Sequence, residues 1–135
     1  DALRHMTQNG LRFEPGNVTE WMDCGNKAAT VDTNQRILAL TASELHTPSD
    51  AVIENSVVLP PCYIGSGVHI RNSVVGPHVS LGERTIVENS RIENSLIQTD
   101  SVIQNKVLSN SMVGAHARII GQPADISLGD YNEIQ

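Results

Sequence analysis

Aromatic residues are scarce in this chain of 135 residues, which has one Trp, two Tyr and one Phe. A surface that stacks nucleic-acid bases needs more aromatic side chains than this. Basic residues are also few: nine Lys and Arg stand against fifteen Asp and Glu, giving a net charge of −6 and a pI near 5.2. We therefore expect neither nucleic acid nor an anionic membrane as a partner.

Long apolar runs and cysteine motifs are missing as well. No stretch approaches the roughly eighteen consecutive apolar residues of a transmembrane helix. The two cysteines, Cys24 and Cys62, lie in different segments and lack the spacing of a metal site. Such sparing use of cysteine favours a reducing compartment, so we expect the protein in the cytoplasm.

What the sequence does contain is a repeat, because an aliphatic residue recurs every five or six positions between residues 51 and 121. This aliphatic ridge consists of Ile53, Val58, Ile64, Ile70, Val75, Leu81, Val87, Ile92, Ile97, Ile103, Leu108, Val113 and Ile120. The residue two places earlier is small at 11 of the 13 positions, and Lys106 and Arg118 are the exceptions. Every third ridge residue recurs after 16 or 17 positions, which is typical of a chain that coils around one axis.

The alternation of side chains along a strand explains why each large residue has a small partner. Residues two apart lie on the same face, so both members of each pair point into a shared interior. Three short strands per coil form a triangular tube, whose corners need backbone that tolerates positive φ. Asn-Ser recurs between the strands, and five glycines directly follow ridge residues. These glycines are Gly65, Gly76, Gly82, Gly114 and Gly121.

Two segments, Ile64-Gly65-Ser66-Gly67-Val68-His69 and Val75-Gly76-Pro77-His78-Val79-Ser80, match the hexapeptide repeat in full. The repeat resembles that of left-handed parallel β-helices, and the hand of the coil is implied by this resemblance alone. We therefore predict a mainly β protein with a left-handed β-helix of about four coils over residues 51–121. Residues 122–135 are expected to fold over the last coil as a C-terminal cap.

The first 45 residues predict a small α+β module. We expect a helix over residues 1–9, strands over residues 11–13 and 18–23, and a second helix from Lys27 to about Leu40 with Asn26 as its N-cap. The apolar residues that this second helix presents are Ala28, Val31, Ile37 and Leu38. The module is too small to close a core alone, so it must pack on the β-helix, another subunit or a further domain. Residues 46–50 read as a linker.

A longer motif gives this module a family resemblance. The run Glu20-Trp21-Met22-Asp23-Cys24-Gly25-Asn26-Lys27, followed by Asn34-Gln35-Arg36-Ile37-Leu38, resembles the closing segment of sugar-1-phosphate nucleotidyltransferases, with the thymidylyltransferases nearest. Many members of that family continue into a left-handed β-helix, as this chain is predicted to do. The resemblance implies that residues 1–45 are the end of a catalytic domain.

The resemblance also implies a reaction, in which a nucleoside triphosphate and a sugar 1-phosphate give an NDP-sugar and pyrophosphate. Asp23 matches a position that supplies a carboxylate to Mg²⁺ in that family, and Gly25, Asn26 and Lys27 are weaker candidates for substrate contact. From local chemistry alone, Asp23 is equally a structural acid that caps the following helix. Trp21 and Gly25 fit core packing and a turn, respectively.

Other parts of the family's site have no counterpart in this sequence. No stretch resembles its glycine-rich phosphate loop, its base-reading residues or its second metal-binding Asp. The chain also begins at Asp1, within what reads as a helix. We therefore expect a fragment of a longer enzyme that is inactive alone, with no catalytic residue beyond the metal ligand. The β-helix is expected to serve assembly or regulation, which implies a homo-oligomer.

Two other functional classes stay open. Hexapeptide-repeat acyltransferases bind acyl-coenzyme A between β-helices and use a His base, for which His69, His78 and His116 are candidates. That family tends to carry a projecting loop, whereas the repeat here has no sizeable insertion. The third class is a non-catalytic oligomerisation scaffold. Lys106 and Arg118 break the small-residue rule, so they mark either an opening of the last coils or a contact surface.

Overall fold

The computed structural model describes all of residues 1–135 and consists of two helices followed by thirteen short strands. The helices are α1 (Ala2–Gln8) and α2 (Lys27–Leu40). The strands are β1 (Val52–Glu54), β2 (Val57–Val58), β3 (Cys62–Ile64), β4 (His69–Arg71), β5 (Val74–Val75), β6 (Val79–Leu81), β7 (Ile86–Glu88), β8 (Arg91–Glu93), β9 (Ser95–Ile97), β10 (Val102–Gln104), β11 (Val107–Ser109), β12 (Met112–Val113) and β13 (Arg118–Ile120).

Each strand pairs in parallel with the strand three places further along the chain. The strands fall into three sheets: sheet A contains β1, β4, β7, β10 and β13, sheet B contains β2, β5, β8 and β11, and sheet C contains β3, β6, β9 and β12. Ridge residues are in register between neighbouring coils, as in the pairs of Ile53 with Ile70 and of Ile70 with Val87. The chain is thus a β-solenoid of about four turns, as the repeat predicted.

The core of the solenoid is the predicted ridge together with its small partners. Ile70, Val75, Leu81, Val87, Ile92 and Ile103 are completely buried. Serine and threonine fill the space beside them because their hydroxyls find backbone partners. The hydroxyl of Ser73, for example, donates to the carbonyl of Arg71 (2.8 Å) and accepts the N–H of Ser90 in the next coil (3.1 Å). The small polar residue therefore stays satisfied inside the tube.

Positive φ angles mark the three corners of each coil. One corner is formed by Asn55, Asn72, Asn89 and Asn105. A second is formed by His78, Asn94 and Asn110, and a third by Gly67, Arg84, Asp100 and His116. On the first corner, the side chains of Asn55, Asn72 and Asn89 each donate to the Asn one coil further, at distances of 2.8–3.2 Å. Asn suits these positions because it tolerates the left-handed conformation and also completes this hydrogen-bonded ladder.

The predicted ridge is wrong at its last position. Ile103 pairs with Ile119 rather than with Ile120, and Ile120 is 44% exposed. The small partner is therefore Ala117, and Arg118 points outward as an ordinary exposed residue. Ile119 and Ile120 are adjacent, so the sequence allows either of them to pair with Ile103. In the structure Ile119 does so, 16 residues after Ile103. Lys106 stays in register two places before Leu108, directly before β11, which is the last strand of sheet B.

Most of the glycines that follow ridge residues serve a different purpose from the predicted one. Of the five, only Gly76 has a positive φ, of 112°. At Gly65, an added Cβ would lie 2.7 Å from the backbone nitrogen of Glu83, and at Gly82 it would overlap the nitrogen of Thr99. These glycines are therefore needed because neighbouring coils approach closely.

The first 50 residues follow the helix predictions but not the strand predictions. The helix predicted over residues 1–9 and the helix from Lys27 to Leu40 are both confirmed, and the Asn26 side chain caps the second by accepting the N–H of Ala29 (2.9 Å). The strands predicted over residues 11–13 and 18–23 are absent. A strand needs a neighbour for its backbone hydrogen bonds, and these segments have none here.

Helix α2 packs on the outer surface of sheet C, next to β6 and β9. Its Val31 and Leu38 are buried, while Ile37 on the same helix is 45% exposed. The β-helix is thus the surface on which the opening module rests through α2. Helix α1 and residues 9–25 bury almost nothing, and the expected core packing of Trp21 does not occur within this chain, where this side chain is 82% exposed.

The tail, residues 122–135, contains no helix or strand, and all of its residues are exposed. Its role as a cap of the last coil stays a prediction. No helix in the structure has the length and apolar character required to cross a bilayer.

Candidate functional site

The candidate metal ligand, Asp23, lies in an exposed turn just before α2. Its Oδ1 accepts the backbone N–H of Gly25 at 3.0 Å, the only hydrogen bond to this carboxylate. A Cβ on Gly25 would lie 3.2 Å from Oδ2, so glycine leaves the space beside that oxygen open. The carboxylate is therefore held by one oxygen and accessible through the other.

Side chains from α2 hold the backbone of this turn. The Thr33 hydroxyl donates to the carbonyl of Asp23 (2.8 Å), and the Thr30 hydroxyl donates to the carbonyl of Cys24 (3.3 Å). The guanidinium of Arg36 also pairs with the carboxylate of Glu20 at the start of the motif. The turn before α2 is thus fixed to the helix by three separate side-chain contacts, although it is exposed to solvent.

The three weaker candidates for substrate contact have different roles in the structure. Gly25 donates its N–H to Asp23, and Asn26 uses its side-chain oxygen to cap α2. The Lys27 ammonium donates to the carbonyl of Asn110, 83 residues away on the second corner of the solenoid (2.9 Å). A direct role of these residues in substrate binding stays a prediction, and Lys27 already has a partner in the solenoid.

A second polar contact joins α2 to the solenoid further along the helix. The hydroxyl of Ser80, on β6, donates to the side-chain oxygen of Asn34 at 2.6 Å, and Ser80 is 8% exposed. Asn34 belongs to the second half of the motif that gave the family resemblance. Sequence reasoning missed Ser80 and Asn110 as partners of α2, because an outward Ser on a strand and an Asn at a corner both look like ordinary features of the repeat.

The residues around Asp23 can supply one protein ligand of a Mg²⁺ ion, but they do not form a complete Mg²⁺ site by themselves. No group of three or more His, Cys, Asp or Glu side chains lies close enough together to hold a metal ion. Mg²⁺ is usually held by one or two protein carboxylates, with waters and substrate phosphates as its remaining ligands. Asp23, with one accessible carboxylate oxygen, meets the requirement for one such protein ligand.

The three histidines of the acyltransferase alternative lie apart from one another. His69 is on the outer face of sheet A, 3.5 Å from Glu54. His78 and His116 occupy two different corners, and His116 lies 3.7 Å from Asp100. The coils between them are all 16 or 17 residues long, as the hydrogen-bonded register shows, so no projecting loop is present.

The fold and this turn together define a β-solenoid protein that carries on its side a turn resembling the closing segment of nucleotidyltransferases. Two curated relatives agree with this description. The chain is 28% identical to glucose-1-phosphate thymidylyltransferase of Streptomyces griseus over an alignment 135 positions long, and 24% identical to that of Streptomyces antibioticus over 134 positions. The alignments cover 85% and 87% of this chain. The resemblance inferred from the motifs is thereby confirmed, and the chain is related to nucleotidyltransferases.

The alignments take in only 38% of the length of each of these two relatives. No family model matches the chain. No solved structure matches it either.

Proposed function

We propose that this chain is the C-terminal part of a sugar-1-phosphate nucleotidyltransferase, which makes an NDP-sugar and pyrophosphate from a nucleoside triphosphate and a sugar 1-phosphate. The observation that carries the proposal is the turn at Asp23, held on a helix that packs against a β-solenoid, in a chain whose relatives are thymidylyltransferases. Their name makes glucose 1-phosphate and a thymidine nucleotide the first substrates to test.

In this reaction, an oxygen of the sugar phosphate attacks the α-phosphorus of the nucleotide, and the bond to pyrophosphate breaks. The attacking and leaving oxygens must be held in line while their negative charge is screened. A Mg²⁺ ion held in part by Asp23 would supply that screening. The contribution of this chain is to present the Asp23 carboxylate, with Gly25 leaving room beside it for phosphate oxygens.

Exposed apolar side chains before α2 support the assignment of residues 1–45 to a catalytic domain. Leu11 and Phe13 are 53% and 54% exposed, and Val18 and Trp21 are 71% and 82% exposed. Leaving such side chains in water is unfavourable. The end of a catalytic domain would bury them against the rest of that domain, where the strands predicted over residues 11–13 and 18–23 would also find partners.

The test is metal-dependent turnover by the full-length protein. With glucose 1-phosphate, dTTP and Mg²⁺, we expect pyrophosphate release that Asp23→Ala abolishes. Asp125→Ala is the matched control, because Asp125 is an exposed acid in the tail without hydrogen-bond partners, and this variant should keep normal turnover. Normal metal-dependent activity in Asp23→Ala would refute the site assignment.

We further propose that the solenoid serves assembly or regulation, that the enzyme is a homo-oligomer and that it works in the cytoplasm. Both cysteines are free thiols, and Cys24 is exposed, which fits a reducing compartment.

Light scattering on the full-length protein and on a variant lacking the solenoid measures the contribution of the solenoid to assembly. If both form particles with the same number of subunits, assembly through the solenoid is wrong.

The acyltransferase alternative makes a separate prediction, since its site would lie within the solenoid. It predicts that the 135-residue chain binds coenzyme A, which titration calorimetry measures directly. We expect no binding, because the three candidate histidines lie on different surfaces of the coil and no loop projects beside them. A purely structural scaffold would instead show neither coenzyme A binding nor any effect of Asp23→Ala in the full-length protein.

A further inference from the structure

Helix α2 packs along the solenoid and makes polar contacts with two different coils. Lys27 contacts Asn110 in the fourth coil, and Asn34 contacts Ser80 in the second. Seven residues of α-helix span about 10.5 Å, and two coils span roughly 9.6 Å at the spacing of β-strands. The two lengths are similar, so one straight helix reaches both contacts as it runs from the fourth coil towards the second.

The same helix also holds the turn that carries Asp23. Thr33 and Thr30 fix the backbone of Asp23 and Cys24, and Arg36 pairs with Glu20. Polar contacts therefore link the solenoid to α2, and α2 to the backbone of the turn that carries the Asp23 carboxylate. Buried Val31 and Leu38 supply the apolar part of the same attachment.

We propose that Lys27, Asn34 and Ser80 are positioning residues, through which the solenoid fixes the Asp23 turn and so sets how readily the site takes up its divalent ion. The proposal rests on the proposed function, because Asp23 must be a metal ligand for its position to matter. Lys27 then affects metal binding indirectly, through its contact with Asn110 in the solenoid, and makes no contact with substrate. The solenoid becomes a part of the active-site architecture, in addition to any role in assembly.

The first experiment uses the 135-residue chain itself and needs no catalysis. Trp21 is the only tryptophan and lies two residues before Asp23, so its fluorescence anisotropy decay reports the motion of the turn. We expect Ser80→Ala and Lys27→Met to increase the fast-motion amplitude of Trp21. Lys27→Arg should restore it, since guanidinium also donates to a carbonyl.

The matched control for this experiment is Ser90→Ala. It removes a serine whose hydroxyl makes hydrogen bonds inside the solenoid, but Ser90 does not contact α2. If Ser90→Ala mobilises Trp21 as much as Ser80→Ala does, the effect reflects general loss of stability and the proposal is wrong. Unchanged Trp21 motion in both Ser80→Ala and Lys27→Met also overturns it.

The second experiment titrates Mg²⁺ against the full-length enzyme. For Ser80→Ala and Lys27→Met, we expect the half-saturating Mg²⁺ concentration to rise by up to about tenfold. Loss of a direct partner of a metal ligand costs roughly ten- to hundredfold, and these two residues act on Asp23 only through α2. KM for the sugar phosphate should stay constant. A raised KM with unchanged metal dependence would make Lys27 a substrate contact and contradict the proposal.

Asp23→Asn separates this proposal from the function on which it rests. If Asp23→Asn loses activity while Ser80→Ala keeps normal metal dependence, the positioning role is wrong and the function stands. If Asp23→Asn keeps full activity, the metal assignment is wrong, and the Trp21 measurement then shows only that the solenoid holds the turn.

Discussion

The guanidinium of Arg84 forms two hydrogen bonds with the carboxylate of Asp100, which lies one coil further along the same corner of the solenoid. Nε of Arg84 donates to Oδ1 at 2.7 Å, and Nη2 donates to Oδ2 at 2.9 Å. Both residues have φ angles near +55°, so the repeat of backbone conformation places their side chains one above the other. This pairing lowers the pKa of Asp100 and raises that of Arg84, chiefly through the hydrogen bonds and then through charge attraction.

The lowered pKa of Asp100 predicts how the solenoid responds to acid. A carboxyl whose pKa is lower in the folded state stabilises the fold above its ordinary value of about 3.9. That stabilisation is lost as the pH falls from there through the folded-state pKa. We expect Arg84→Met to melt at a lower temperature than the parent at neutral pH, and this difference to shrink as the solution is acidified through that window. Thermal melts at a series of pH values measure both.

Arg91→Met is the control for this prediction, because Arg91 is another exposed arginine on the solenoid, 3.4 Å from Glu93. Its melting temperature should differ little from that of the parent at every pH. An equal acid response in Arg84→Met and the parent would show that the Arg84 pair does not contribute.

Core packing predicts a contrast between two valines in sheet B. Val75 is completely buried, whereas Val107 points outward and is 79% exposed. Val75→Ala removes two buried carbon atoms and leaves a cavity, so it should lower the free energy of unfolding by about 2 kcal/mol. Val107→Ala should change it by less than about 0.5 kcal/mol. Urea denaturation measures both, and equal effects would mean that the register of sheet B is wrong.

Two glycines at equivalent places, two coils apart, predict opposite tolerance to substitution. Gly82 and Gly114 each follow a ridge residue, but a Cβ on Gly82 would overlap the backbone nitrogen of Thr99, whereas a Cβ on Gly114 meets nothing within 4 Å. We expect Gly82→Ala to lower the free energy of unfolding by about 1–3 kcal/mol through overpacking. Gly114→Ala should be neutral or slightly stabilising. Comparable losses in the two variants would imply that a further layer covers Gly114.

The solenoid was predictable from the repeat because the interior of each coil accepts only a narrow range of side-chain sizes. Each coil must place one aliphatic and one small residue on the inner face of each strand, so the geometry appears directly in the spacing of residues such as Ile70, Val87 and Ile103. The end of the repeat was less certain, since Ile119 and Ile120 are equally suited to the interior. Only the pairing with Ile103 decides between them.

The candidate site was less predictable, because its geometry depends on contacts between distant parts of the chain. The motif identified Asp23, and local patterns identified the N-cap Asn26, as the structure confirms for the cap. That Lys27 turns towards Asn110 follows from how α2 packs on sheet C, and no spacing in the sequence expresses it. The strands predicted before α2 are absent because a favourable residue pattern does not supply the neighbouring strand that backbone pairing needs.

The asparagine ladder predicts a ranking of three variants at one position. Asn89 has a φ of 47°, accepts a hydrogen bond from Asn72 and donates one to Asn105, each at 3.2 Å. Asn89→Gly keeps the backbone conformation accessible but removes both hydrogen bonds, so it should cost about 1–2 kcal/mol of unfolding free energy. Asn89→Ala loses the same bonds and adds the cost of a left-handed alanine, roughly 1 kcal/mol more. Urea denaturation should therefore rank the parent above Gly and Gly above Ala. If Ala were as stable as Gly, backbone conformation would not explain why asparagine occupies this corner in four successive coils.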